Sequence, residues 1–238
     1  MSISADSLYD KGCKCLHCGH TFTSKKVRSG SQAFVKRDAD FCTYYKNQNL
    51  NPILYTVFVC PACGFAFTEQ FEPSMPPYVK KRIKTELADK WTPKDFGSVR
   101  TIVEAIATYK LGIYSAMLKG EAHSVLGGLY LRLAWLYRFE GDEAEERRFL
   151  NMAVREYEQS YVHSDFVKGD KEMSEVRVLY LIGELMRRVE RYDQAILYFS
   201  KVIELKKKSI ETGIISMAHD QWSLARQEYK EKQLGQTS

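Results

Sequence analysis

The apolar positions along the chain change period near residue 76. Upstream they come in short runs rich in β-branched and aromatic residues, at 33–36, at 54–59 and in "GFAFTEQF" (64–71), punctuated by Ser29-Gly30-Ser31 and Asn51-Pro52. Such runs between turn formers predict strands. Beyond Pro73, Pro76 and Pro77 the apolar residues recur at steps of three and four. "YVKKRIKTELADKW" predicts a connecting helix, Thr92-Pro93 opens the next segment, and nearly everything from there onward reads as helix. The pattern predicts an α+β chain: a β domain over residues 1–75, a connecting helix or linker over 76–98, and an all-α domain over 99–238.

Compared with itself, the helical half gives a second signal. Tyr130, Leu133, Ala134, Tyr137, Gly141, Leu150 and Ala153 share relative positions with Leu179, Ile182, Gly183, Met186, Glu190, Phe199 and Val202, a displacement of 49. These offsets follow the tetratricopeptide pattern, with small residues where paired helices cross and large ones between. Ala195 supplies the small residue of the second helix in the later copy, where the earlier has Glu146. The displacement exceeds the ~34-residue period, so the helix through Tyr157 or the loop "VHSDFVKGDKE" absorbs an insertion. Upstream, Ala105, Tyr109 and Gly112 sit in the phase of a partial repeat. Downstream, Ile215, Ala218, Trp222, Ala225 and Tyr229 form the apolar stripe of a capping helix. The expectation is a tetratricopeptide-like helical repeat whose aromatic residues serve packing.

Composition narrows the class. With 45% hydrophobic and 27% charged residues in 238, the chain is ordinary globular protein. "MSISADSLYDKG" lacks the charged start and apolar run of a secretory signal, and no stretch approaches a membrane span, so a cytoplasmic protein is expected. All six cysteines lie between Cys13 and Cys63. In a reducing compartment they are better suited to metal than to disulfides. The net charge of +5 also belongs to that part, since residues 1–98 carry 14 Lys/Arg against 9 Asp/Glu and the remainder is balanced.

"CKCLHCGHTF" and "YTVFVCPACGFAF" each contain C-x-x-C-G, at Cys15, Cys18 and Gly19 and again at Cys60, Cys63 and Gly64. Two such units supply the four thiolates of a closed tetrahedral zinc site, and glycine provides the positive φ with which the chain leaves the turn. The 41 residues between Cys18 and Cys60 exceed the compact spacing and imply an inserted segment, so the β domain is expected to be zinc-ribbon-like, with one structural Zn²⁺ per chain. A redox dithiol is the rival reading of "CPAC". Cys13 reads as a spare thiol and Cys42 as a small core hydrophobe. His17 and His20 can each replace a thiolate in a Cys3His site but read first as surface residues. His123, His163 and His219 have no partner cluster, and Lys206-Lys207-Lys208 suits a helix end.

The stretches "CLHCGHTFTSKKVRSG", "KRDADFCTYY" and "NPILYTVFVCPACGFAF" resemble a family of uncharacterised bacterial proteins with paired C-x-x-C zinc knuckles followed by tetratricopeptide-like helices. The resemblance is close over roughly the first 75 residues. It implies Cys15, Cys18, Cys60 and Cys63 as zinc ligands and places Asp40, Phe41, Cys42 and Tyr45 in a middle motif without a role.

Three functions compete. The leading expectation is a non-enzymatic adaptor that binds a protein or peptide partner on its helical repeat face. The alternative is nucleic-acid binding by the ribbon, where Lys25, Lys26, Arg28, Lys36 and Arg37 lie among Phe22, Phe34, Phe41, Tyr44 and Tyr45. Four thiolates on one Zn²⁺ contribute −2, which leaves a modest basic excess for that purpose. An enzyme has the least support, because a four-cysteine zinc has no open position and no phosphate loop, nucleophile motif or acid/base pair is present.

Overall fold

Alternation of exposed and half-buried residues folds Leu8–Lys14 (β1) antiparallel onto Thr21–Val27 (β2), with Leu8 opposite Val27 and Lys14 opposite Thr21. In the computed structural model, which describes residues 7–167, 173–207 and 209–236, two further hairpins follow. Phe34–Arg37 (β3) pairs with Thr43–Tyr45 (β4), and Phe58–Val59 (β5) with Ala66–Phe67 (β6). The helices are Pro77–Glu86 (α1), Ile102–Lys119 (α2), His123–Glu140 (α3), Glu143–His163 (α4), Glu175–Arg188 (α5), Tyr192–Glu204 (α6) and Thr212–Gln236 (α7). The chain is therefore α+β, with its strands near the N-terminus.

Two strand expectations contract. Residues 54–59 begin in a 3₁₀ turn, Pro52–Tyr55, because the Asn51 side chain caps it by accepting from Ile53 N at 3.2 Å and Pro52 presets the first φ. "GFAFTEQF" keeps only the two residues of β6. Thr92-Pro93 opens no helix. The next helix starts at Ile102, where Thr101 and Glu104 form a reciprocal capping box, and it ends at left-handed Gly120.

The chain divides into two compact units. The first comprises Met1–Arg37, Thr43–Glu121 and Trp135–Asp142, and the second Asp38–Cys42, Ala122–Ala134 and Glu143–Ser238. The first unit thus runs through α2 instead of ending near residue 75. Hydrogen bonds give the reason: Ala66 N donates to the buried Ser115 Oγ at 3.0 Å, and the buried Tyr109 hydroxyl donates to Ile53 O at 3.2 Å. Helix α2 is a wall of the core formed by the short strands, so it cannot be separated from them.

Arg100 fixes the same core from within. The guanidinium is buried and donates to Phe96 O (2.6 Å), Leu54 O (3.1 Å), Val57 O (2.7 Å) and Ser24 Oγ (3.1 Å). Burial pulls its pKa down to about 10, which still leaves it charged at neutral pH. Carbonyl dipoles compensate the charge and tie β2 to the turn before β5.

In the second unit α4 packs on α5, α5 on α6 and α6 on α7, and α5 also meets α7. Gly183 allows the Phe199 ring to lie where a Cβ would approach it to 2.9 Å, which sets how closely α5 and α6 cross. Gly141 and Glu190, matched in the self-comparison, both take left-handed φ (76° and 64°). Their turns share one pattern: Asp142 N donates to Tyr137 O as Arg191 N donates to Met186 O. The Lys206-Lys207-Lys208 run and the loop "VHSDFVKGDKE" lie partly outside the described residues. Among those described, no helix is long and apolar enough to cross a membrane.

Arg100→Met keeps the apolar stem but removes the donors from three buried carbonyls. Urea denaturation is expected to show a loss of about 3 kcal/mol; a loss below about 1 kcal/mol would contradict the stapling role.

Candidate metal centre

Each C-x-x-C-G sits at the turn of its own hairpin, and the two turns are local copies. Cys15 N donates to His20 O and Gly19 N to Cys15 O, at 2.9 and 3.0 Å. In the second, Cys60 N donates to Phe65 O and Gly64 N to Cys60 O, at 3.0 and 2.9 Å. Gly19 and Gly64 both leave the turn with positive φ, 77° and 72°. The same residues at the same spacing fold the same way because the turn is closed by its own backbone hydrogen bonds.

The turns face one another. Cys15 Sγ lies 3.7 Å from Cys63 Sγ, Cys18 Sγ lies 3.7 Å from Cys60 Sγ, and all four sulfurs fall within 4.8 Å. A tetrahedron with metal–sulfur bonds of about 2.3 Å has edges of about 3.8 Å, so this cage can hold a metal ion. The spacing is too long for disulfides, and all six cysteines are free. Cys15, Cys60 and Cys63 are buried, whereas Cys18 is exposed.

The thiols cannot all ionise unaided. The Cys63 S–H donates to Cys15 and holds Cys15 down to about 5; that bond and burial push Cys63 up. Burial, with the charge on Cys15, pushes Cys60 up to about 11. One thiolate forms easily and the next are opposed, which is the electrostatic setting a dication relieves.

Behind the second turn stands Trp91, just after the 3₁₀ turn Ala88–Lys90. Its indole Nε1 donates to Pro61 O at 2.9 Å, and its ring lies where a Cβ on Gly64 would come within 2.4 Å. Phe65 is fully buried, 6.1 Å from the His17 ring and 6.1 Å from the Phe67 ring. Trp91 carried no sequence signal beyond being the large aromatic that ends the stretch expected as a connecting helix.

The other candidates stand apart from the cage. Cys13 lies in β1 with its Sγ donating to Lys11 O at 3.6 Å, and burial raises its pKa. His17 Nδ1 is buried, and desolvation lowers the ring's pKa; His20 stacks with Phe22 at 6.5 Å. Cys42 is buried in the second unit. His123 Nδ1 meets Glu156 Oε2 at 2.7 Å, His163 Nδ1 meets Gln159 O at 2.8 Å, and His219 is exposed on α7. The basic residues near the strands are engaged: Lys25 pairs with Asp10, Lys11 and Lys26 share Glu69, Arg28 lies over Tyr9, and Lys36 over Tyr44.

Residues 8–225 match the family described as "Uncharacterized protein conserved in bacteria (DUF2225)". The chain belongs to this family. A relative from Borreliella burgdorferi, also described as an "Uncharacterized protein", is 25% identical over 213 residues, covering 80% of this chain and 75% of its own. No solved structure matches. The matched residues take in both cysteine turns of this chain and its helices from α1 into α7.

The two glycines give a paired test. Gly19→Ala and Gly64→Ala both force an alanine into positive φ, but only Gly64→Ala drives a methyl into Trp91. In urea denaturation Gly64→Ala is expected to lose about 1–3 kcal/mol more than Gly19→Ala; equal losses would contradict the packing of Trp91.

Proposed function

We propose that this DUF2225 protein is a zinc-stabilised adaptor of the cytoplasm, in which Cys15, Cys18, Cys60 and Cys63 hold one structural Zn²⁺ and the helices of the second unit bind a protein or peptide partner. The observation that carries the metal half is the sulfur cage itself, whose four corners are all cysteine. Four thiolates satisfy Zn²⁺ completely and leave no position for water or substrate, so the ion organises structure and does no chemistry. Backbone N–H groups of the two turns point at the sulfurs, and Phe65 and Trp91 pack against the second turn. Reducing surroundings keep such thiolates available.

The partner half rests on α5, α6 and α7. In this reading the equivalent turns at Gly141 and Glu190 and the Gly183–Phe199 crossing belong to tetratricopeptide-like pairs, which present an extended face to a peptide. The nucleic-acid reading has less support, because Lys25 and Lys26 are in ion pairs with Asp10 and Glu69, and Lys36 lies over the Tyr44 ring.

Native mass spectrometry of the full chain is expected to show one zinc per chain, with Cys15→Ser and Cys60→Ser losing it; unchanged metal in either variant would overturn the ligand set. Because Cys60 and Cys63 must each release a proton held by a raised pKa, metal binding strengthens as pH rises. Chelator competition should show affinity rising by at least about tenfold per pH unit between about pH 6 and 8, and a flat profile would contradict four-thiolate binding. For the partner, a photo-crosslinking residue placed on α5 or α7 of the full chain should trap one protein reproducibly, and trapping none would remove the adaptor reading.

A further inference from the structure

One face of α5 meets the segment Asp38–Cys42 through polar, charged and aromatic contacts. Arg177, Tyr180, Glu184 and Arg188 follow one another at steps of three, four and four, so they form a single stripe along the helix. Against that stripe lies Asp38–Cys42, which belongs to the same unit. The Tyr180 hydroxyl donates to the Ala39 carbonyl at 2.9 Å. The Arg188 guanidinium reaches the buried Asp40 carboxylate at 3.6 Å and is itself held by Glu184 at 2.7 Å. The Phe41 ring lies 5.6 Å from the Tyr180 ring, and the Arg177 guanidinium sits 5.4 Å from its centre. A main-chain carbonyl, a carboxylate and an aromatic ring each meet a dedicated group on the helix.

The segment holds this pose at a conformational cost. Phe41 has φ 69°, in the left-handed region that bulky residues avoid. The turn is closed by Phe41 N donating to Asp38 O (2.9 Å) and Asp38 N donating to Cys42 O (2.8 Å). Glycine would make such a turn without strain. A phenylalanine kept there places its ring between Tyr180 and Arg177, and strain retained at a contact is a mark of recognition.

The geometry points to the α5 stripe as a binding surface for short peptides carrying an aspartate followed by an aromatic residue, filled in this chain by its own residues 38–42 as an internal ligand that a partner displaces. This rests on the adaptor reading and adds to it the chemistry of the partner. An internal ligand acts at high effective concentration, so a partner's apparent affinity is its intrinsic affinity multiplied by the fraction of chains whose stripe is open.

The test uses a fluorescent nine-residue peptide spanning positions 36–44, with Cys42→Ser in the peptide, titrated into the full chain. Phe41→Gly in the protein removes the internal ring while suiting the positive φ. That variant is expected to bind the peptide at least about tenfold more tightly than the unaltered chain. Adding Arg177→Ala or Arg188→Ala should cost about tenfold or more, and a peptide with Phe41→Ala should bind neither protein. No binding to folded Phe41→Gly protein, or equal affinity for both proteins, would overturn the assignment. A second measurement covers failure of the variant to fold: hydrogen exchange at the Asp38 and Phe41 amides of the unaltered chain should speed up under millimolar peptide, and unchanged exchange would also overturn it. If the peptide fails while crosslinking from α7 still traps a partner, the adaptor reading stands and only this surface is removed.

Discussion

Four cysteine sulfurs within 4.8 Å of one another, three of them buried, pose one electrostatic problem. One thiolate is stabilised by a neighbouring S–H, but each further ionisation meets both burial and like charge. A dication removes the conflict at a stroke. An ion held there would also join Cys18 to Cys60 across 41 intervening residues. An ion binding both ends would offset the entropy of closing that loop, so metal binding and folding of the first unit would be coupled. The strands there are two to seven residues long and would not persist as isolated hairpins.

How much of this the sequence carries depends on how local each feature is. The C-x-x-C-G turns are closed by hydrogen bonds within six residues, and their form is visible in the letters. The capping box at Thr101 and Glu104 is equally local, and it, more than Thr92-Pro93, marks where the helix begins. Trp91 and Arg100 are different. Each acts on residues 27 or more positions away, Trp91 on Gly64 and Arg100 on Leu54, Val57 and Ser24, and nothing around them in sequence announces the partner. The boundary expected near residue 75 moved for the same reason, since Ser115 and Tyr109 bind backbone some fifty residues earlier. The resemblance stated from "KRDADFCTYY" located the middle motif but gave it no role; only the contacts of Asp40 and Phe41 with α5 suggest one.

The first unit buries a guanidinium and the second a carboxylate, and each compensates its charge in its own way. Arg100 is surrounded by carbonyl oxygens and a hydroxyl, so its charge is spread over dipoles that belong to the backbone framework. In the second unit Glu184, fully buried, holds Arg187 at 2.9 Å and Arg188 at 2.7 Å, and Arg187 pairs further with Glu228 at 2.8 Å. Breaking either arrangement leaves an unpaired charge or orphaned acceptors, which is far more destabilising than the net worth of the intact contacts. Such networks specify one packing among many that hydrophobic residues alone would allow.

X-ray absorption at the zinc edge of the purified full chain tests the central claim most directly. The account predicts a single zinc shell of four sulfurs at about 2.3 Å with no nitrogen or oxygen neighbour. A shell of mixed sulfur and nitrogen or oxygen ligands, or iron in place of zinc, would contradict it.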